Sequence, residues 1–254
     1  MVDAEFEIAA KIVEKTEEIE KQVKEFVTNP KILLKILETT DFKIKDDYPT
    51  KLSVFFTALS AYTSEPLNLF IRGHSSTGKS YNAVEILKLF PEKDIWYLGG
   101  LSPTALIHQH GELMDENGTP LGPPPLRSSF EDKKEYREAL QNWVRRVQTG
   151  YVEVDLTGKI LLFLESPNIN TFNMLRPILS HDTFKISYKI TDKTDRGRLK
   201  TKTTVIKGWP ATIFLNAKDQ FLEELATRSF TVSPIEQPIK YRKANKLTLS
   251  LIHI

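Results

Sequence analysis

The sequence contains no cysteine among its 254 residues. This absence excludes disulfide bonds and thiolate-ligated zinc, and it fits a reducing, cytoplasmic interior, which is the location we expect. No uninterrupted apolar run approaches the roughly 18 residues that a membrane-spanning helix needs, so we expect no membrane partner. Glycine is sparse, with 11 residues in the chain, and two of them fall within six positions of each other in a recognisable motif.

That motif is the segment 73–80, Gly-His-Ser-Ser-Thr-Gly-Lys-Ser, which matches the phosphate-loop pattern G-x-x-x-x-G-K-[ST] at every fixed position. An apolar segment at 67–71 precedes it and a helix-forming segment at 81–90 follows, which is the context that the motif requires. Backbone N–H groups at such a helix N-terminus converge on phosphate oxygens. Lys79 would reach the β- and γ-phosphates, and the Ser80 hydroxyl would bind Mg²⁺.

The sequence therefore predicts a site for ATP and Mg²⁺ as cofactors. The residues predicted to contact the nucleotide are Gly73, His74, Ser75, Ser76, Thr77, Gly78, Lys79, Ser80 and Tyr81.

Four short, mostly apolar segments have the composition of buried strands. They lie at 67–71, 95–98, 160–164 and 211–215. Helix-forming segments alternate with them, which predicts an α/β fold with a doubly wound parallel sheet. We divide the chain into an N-terminal helical extension (1–64), a nucleotide-binding core (65–240) and a tail (241–254).

The extension opens with a charged segment at 4–28 that has helical periodicity. Six mostly apolar residues recur at alternating spacings of three and four: Ala9, Ile12, Thr16, Ile19, Val23 and Phe26. This stripe indicates a helix that either packs on the domain or makes a short coiled-coil contact.

Three polar side chains follow the later strands. Glu165 comes directly after the apolar run 160–164, where a carboxylate can hold Mg²⁺ through water or orient an attacking water; it could also be an ordinary acidic strand end. Asn216 ends the next strand and could position lytic water or simply form a turn. Arg228, twelve residues later, could reach a neighbouring subunit's γ-phosphate or serve as a helix C-terminal cation.

Positive charge is concentrated in one segment. Residues 185–207 hold eight Lys or Arg against two Asp, so this segment carries +6 and the rest of the chain carries −4 of the net +2. Alternating apolar and polar residues around a turn predict an inserted β-hairpin at 184–206, and this hairpin either binds nucleic-acid phosphates or protects a sheet edge. The predicted DNA-contacting residues are Lys189, Lys193, Arg196, Arg198 and Lys200.

The order of these features resembles an AAA+ ATPase. The phosphate loop, Glu165, Asn216 and Arg228 correspond to Walker A, Walker B, sensor 1 and the arginine finger of that family. The resemblance implies that Lys79, Glu165, Asn216 and Arg228 are catalytic, that Ser80 and Glu165 hold the metal, and that the chain forms a homo-oligomeric ring, such as a hexamer. One departure is that Walker B normally ends in two adjacent acids, whereas Ser166 follows Glu165 here.

A hairpin immediately before sensor 1 resembles the pre-sensor-1 hairpin of minichromosome-maintenance and superfamily-three viral helicases. Segments around the phosphate loop also look like the ATPase half of phage and mobile-element primase–helicase proteins. These resemblances imply single-stranded DNA as the partner, contacted by the hairpin inside a ring.

The tail carries two expectations. AAA+ proteins place a helical lid after the arginine finger, and too few residues follow Arg228 for one, so we expect the lid to be missing. Residues 249–254 read as the translation of a transposase end sequence used in sequencing adapters, which indicates a truncated gene product with an artefactual end.

Three functions remain in competition at this point. The first is an AAA+ motor that hydrolyses ATP and moves DNA, as a replicative helicase or translocase of a mobile element or phage-like replicon does. The second is an ATP-gated switch or loader with little steady hydrolysis, which the single acid at Glu165 favours. The third is a P-loop kinase, for which the sequence shows no acceptor site.

Overall fold

The structure, a computed structural model, describes residues 16–100, 102–165, 167–193, 199–215, 227 and 229–252. The helices are α1 (16–27), α2 (Ile32–Asp41), α3 (Tyr48–Ser60), α4 (Lys79–Leu87), α5 (Pro103–His110), α6 (Lys133–Thr149), α7 (Ile169–Leu179) and α8 (Pro238–Ile252). The strands are β1 (Asn68–Ile71), β2 (Ile95–Leu98), β3 (Glu112–Met114), β4 (Tyr151–Asp155), β5 (Ile160–Phe163), β6 (Lys185–Lys193), β7 (Leu199–Lys207), β8 (Ala211–Phe214) and β9 (Phe230–Val232).

A five-stranded parallel sheet forms the centre of the protein, in the order β2-β5-β8-β1-β9. The register aligns Leu98, Phe163, Phe214 and Phe70 in one row across four strands. The carboxyl ends of these strands therefore share one edge of the sheet. The predicted α/β class with a parallel sheet is confirmed, and the four predicted strands are β1, β2, β5 and β8.

Both faces of this sheet are covered, which is why its strands read as continuous apolar runs. On one face, α3 and α4 pack against Leu69, Ile71 and their neighbours. On the other face, α5 and α7 pack over a row of three phenylalanines, with ring centroids 4.6 Å apart for Phe70–Phe214 and 4.9 Å for Phe163–Phe214. The doubly wound arrangement places every loop that follows a strand at one edge.

A second sheet of four strands, in the order β3-β4-β7-β6, contains the predicted hairpin. β6 and β7 form the expected antiparallel hairpin, but β7 also pairs in parallel with β4, from Val152↔Thr204 to Asp155↔Lys207. Strands β3 and β4 had not been predicted. The base of the hairpin is therefore part of a sheet, and the hairpin extends one residue past the predicted end, to Lys207.

The alternation predicted for the first hairpin strand is confirmed over residues 185–189. Lys185, Ser187 and Lys189 are exposed. Ile186 and Tyr188 are half-buried against the core that contains Phe70 and Phe214. The hydroxyl of Tyr188 donates a hydrogen bond of 2.6 Å to the carbonyl of Met174, which ties the hairpin to α7.

The interpretation that the first helix packs on the domain is wrong for residues 16–27. Ile19, Val23 and Phe26 are 50%, 54% and 41% exposed, so the apolar stripe of α1 has no covering element among the described residues. The alternative, a coiled-coil contact, stays a prediction.

The predicted tail is largely helical, because α8 (Pro238–Ile252) runs through most of it. The hypothesis that residues 249–254 are translated from a sequencing adapter concerns the DNA and stays a prediction. The expected absence of a helical lid also stays a prediction. Each helix in the described ranges is too short or too polar to cross a lipid bilayer.

Candidate functional site

The predicted phosphate loop joins the carboxyl end of β1 to the N-terminus of α4, as the motif requires. Gly78 caps the helix with φ 90°, a left-handed conformation that a residue with a Cβ adopts only at a cost. Because Gly78 turns the chain so sharply, α4 begins at Lys79, two residues earlier than predicted. The free N–H groups of the first helical turn therefore lie directly at the loop, where the helix dipole favours an anion.

Side chains of the loop satisfy its own carbonyl groups. The Lys79 ammonium donates to the carbonyl oxygens of Gly73 at 2.8 Å and His74 at 2.6 Å. The buried Thr77 hydroxyl donates to the same His74 carbonyl at 3.0 Å. The ammonium is thus held across the loop by neutral acceptors, which leaves its positive charge available to an anion.

The remaining predicted loop residues are open to solvent. The side chains of His74, Ser75, Ser76 and Ser80 are all exposed. Ser80 lies in the first turn of α4, next to Lys79, so its hydroxyl is accessible for a metal ion. Among the described residues, no group of three or more His, Asp or Glu side chains could hold a metal ion. An Mg²⁺ ion bound at Ser80 would therefore take some of its ligands from the phosphate oxygens of the nucleotide.

Tyr81 connects the start of α4 to the helical extension. Its hydroxyl donates to the Lys43 carbonyl at 3.4 Å, and the side chain is 49% exposed. Burial raises the pKa of the Tyr81 phenol, and the Glu85 carboxylate adds to that effect. Tyr81 is therefore a neutral donor at physiological pH, beside the loop.

Glu165 follows β5 at the same edge as the phosphate loop and is exposed. Strand β8 lies between β5 and β1, so Glu165 and the loop are separated by two strand spacings, about 10 Å. The edge is continuous, because the Leu164 N–H donates to Leu98 and the Leu215 N–H donates to Phe163.

Two predicted catalytic residues, Asn216 and Arg228, lie outside the described residues.

The predicted DNA-contacting residues are only partly described. Lys189 is exposed on β6. Lys193 and Lys200 lie within β6 and β7, where the register pairs Lys193 with Leu199 and Asp192 with Lys200. Arg196 and Arg198 lie outside the described residues.

Sequence reasoning missed the segment that faces the phosphate loop from the other side, residues 233–237 between β9 and α8. A Cβ at Gly73 would lie 3.4 Å from Pro234 Cδ and 3.6 Å from Glu236 Oε1. The Glu236 Oε1 also lies 3.3 Å from Nδ1 of His74. A carboxylate therefore lies next to the loop, and glycine suits position 73 because its φ of 149° is a backbone conformation that residues with a Cβ rarely adopt.

A buried carboxylate, Asp47, holds this segment in place. Asp47 is 0% exposed and accepts hydrogen bonds from Lys240 Nζ at 2.6 Å and Asn82 Nδ2 at 2.7 Å. It also accepts the backbone N–H of Ile235 at 3.3 Å. Asp47 thus joins the start of α3, the phosphate-loop helix α4 and the start of α8. No sequence motif marks it.

The comparisons with known proteins add no family to these observations. No protein-family model matches the sequence, and no curated protein matches it significantly.

Proposed function

We propose that this chain is a P-loop nucleoside triphosphatase that binds ATP with Mg²⁺. More specifically, we propose an AAA+ motor domain of the pre-sensor-1-hairpin class, acting on single-stranded DNA as a replicative helicase or translocase of a mobile element or phage-like replicon. The observation that carries the proposal is the phosphate loop at 73–80, which joins a central parallel strand to a helix N-terminus.

The strand order supports the hydrolytic part of this proposal. Because β1 and β5 are parallel strands of one sheet, the loop after β1 and Glu165 after β5 lie at the same edge and could both reach one bound triphosphate. Asn216 would position the lytic water. Lys79 would neutralise charge on the phosphates, Ser80 would bind Mg²⁺, and Glu165 would orient water for attack. Arg228 would come from a neighbouring subunit, which is the reason for proposing a homo-oligomeric ring, such as a hexamer.

Replacing Glu165 tests the role of this carboxylate in hydrolysis. In a motor, Glu165→Gln should lower the ATPase rate by about a hundredfold or more, because general-base or water-positioning groups contribute that much. The affinity for Mg·ATP should change little, since the loop supplies most of the binding. The measurement is ATPase activity with and without single-stranded DNA, and DNA should raise the wild-type rate.

The matched control for that experiment is Glu116→Gln, which removes an exposed acid from the 115–119 turn. It should leave the rate unchanged. An equal rate for Glu165→Gln and wild type would remove Glu165 from the mechanism.

An ATP-gated switch or loader is the second candidate function, and the absence of an acid next to Glu165 favours it. A switch would retain DNA in the presence of ATP with negligible steady turnover, whereas a motor would hydrolyse ATP faster when DNA is added. The same ATPase assay, combined with DNA retention on a filter, separates the two.

The basic hairpin is proposed to contact the phosphates of the DNA backbone. A triple replacement of Lys193, Arg196 and Arg198 with alanine should weaken binding to single-stranded DNA at every sequence. Each lost phosphate contact lowers the slope of log K against log salt by about 0.7, so the slope should fall by about 2. Fluorescence anisotropy across a salt series measures this.

A triple replacement on α6 provides the control for the hairpin. Lys133, Lys134 and Arg137 are exposed cations, so their removal changes the net charge by the same amount at another place. Equal losses in the two variants, or no loss in the hairpin variant, would contradict a hairpin contact and favour edge protection.

A further inference from the structure

The phosphate loop faces a carboxylate that the proposed reaction does not use. Glu236 Oε1 lies 3.3 Å from His74 Nδ1 and 3.6 Å from the position of a Cβ at Gly73. Without Glu236, the charge at the loop would come from its backbone N–H groups and the Lys79 ammonium, and it would be neutral or positive. Here a negative charge already lies next to Gly73 and His74, at the start of the loop that is proposed to bind the phosphates.

We propose that Glu236 competes with the nucleotide for the phosphate loop and thereby sets the affinity of the site. The inference rests on the proposed function and deepens it. With no nucleotide present, the Glu236 carboxylate contacts the loop at His74. A bound triphosphate brings several negative charges to the same place, so the Glu236 side chain is displaced toward solvent.

The backbone under Glu236 is held in place, so the side chain rather than the whole segment responds. The N–H of Ile235 donates to the buried Asp47, and Lys240 Nζ bridges Asp47 and the Ile235 carbonyl at 2.6 Å and 3.1 Å. The Glu236 side chain itself is 41% exposed, so it can rotate toward solvent. Because the backbone is fixed, the Glu236 carboxylate stays within reach of the loop even when its side chain rotates.

The contact between His74 and Glu236 contributes little to folding, because the two side chains are 90% and 41% exposed. We expect the Glu236 charge to act instead on the affinity of the site for anionic ligands. Repulsion between Glu236 and an incoming anion grows with the charge of that anion, so the penalty should be larger for a triphosphate than for inorganic phosphate. The site would discriminate between ligands of different charge through this one side chain.

The test is the affinity of the intact chain for a fluorescent ATP analogue with Mg²⁺, in wild type and Glu236→Gln. Glutamine keeps the size and hydrogen-bonding capacity of the side chain and removes its charge. The variant should bind about three- to tenfold more tightly at low salt. The advantage should shrink as salt is raised, because exposed charges are screened. Tripolyphosphate should compete more strongly in the variant by a similar factor, and inorganic phosphate by less.

The control is Glu116→Gln, an exposed acid on the 115–119 turn, which should leave the affinity unchanged. Equal affinities of wild type and Glu236→Gln would overturn the inference while leaving the nucleotide site intact. Weaker binding by Glu236→Gln would also overturn it, because Glu236 would then help to hold the ligand. Absence of binding by both proteins would overturn the proposed function, and this inference with it.

Discussion

Lys79→Ala is expected to lower the affinity for Mg·ATP by about a hundredfold or more and to abolish ATPase activity. Within the described part of the chain, the Lys79 ammonium donates to neutral carbonyls of the loop, those of Gly73 and His74, at 2.8 and 2.6 Å. No described carboxylate forms an ion pair with it, so its charge is available to phosphate oxygens. Isothermal titration with a non-hydrolysable ATP analogue measures the loss of affinity directly.

The fold should survive this replacement, because Lys79 is only half-buried. Circular dichroism and the thermal midpoint check that expectation. Lys88→Ala is the matched control, since Lys88 follows the C-terminus of the same helix and its side chain is 60% exposed beside Glu85. Lys88→Ala should bind the analogue as the wild type does. Unchanged affinity in Lys79→Ala would contradict the proposed nucleotide site.

The phosphate loop was predictable from sequence because its chemistry is local. Gly73, Gly78, Lys79 and Ser80 lie within eight consecutive residues, and each has a separate physical role in the strand–loop–helix unit. Four of the five central strands, all but β9, were predictable for a similar reason. Strands buried on both faces need continuous apolar runs, which are visible without knowledge of their partners.

Strand β4 was missed because its stability depends on partners that the sequence does not name. Its segment Tyr-Val-Glu-Val-Asp includes Glu153, which is 6% exposed. A buried glutamate argues against a core strand unless a cation neutralises it. Lys207 supplies that cation at 2.7 Å, but it lies 54 positions later, on β7. The hairpin was recognised, and its incorporation into a second sheet was not.

The contacts that surround the phosphate loop were missed because their partners are also distant in the sequence. His74 and Glu236 are 162 positions apart, and Asp47 is 193 positions from Lys240. His74 occupies a variable position of the phosphate-loop motif, the other three residues belong to no motif, and an isolated Asp or Lys is usually solvated. Only the fold brings them together. The prediction for α1 failed in a different way. Its apolar stripe was recognised from the sequence, but the sequence does not say what the stripe packs against, and no described element covers it.

The contact between Asp47 and Lys240 has the largest expected effect on stability. Lys240 is 7% exposed and Asp47 is fully buried, so each charge depends on the other and on its hydrogen bonds. Among the residues that the structure describes, Lys240→Ala leaves the Asp47 carboxylate with Asn82 and the Ile235 N–H as its donors. Breaking a buried pair in this way costs about 3–5 kcal/mol, which is a large part of a typical domain's free energy of unfolding. Urea denaturation followed by circular dichroism measures the loss.

Lys243→Ala is the control for this loss, because Lys243 lies one turn further along α8 and pairs with Asp46 at the surface. It should leave the free energy of unfolding nearly unchanged. A double variant, Asp47→Asn with Lys240→Met, removes both buried charges and should recover part of the stability lost in Lys240→Ala. If Lys240→Ala and Lys243→Ala unfolded at the same urea concentration, the pair would not be buried in solution. In that case Asp47 would not fix the 233–237 segment against the phosphate loop, and Glu236 would lose the anchor that keeps its charge there.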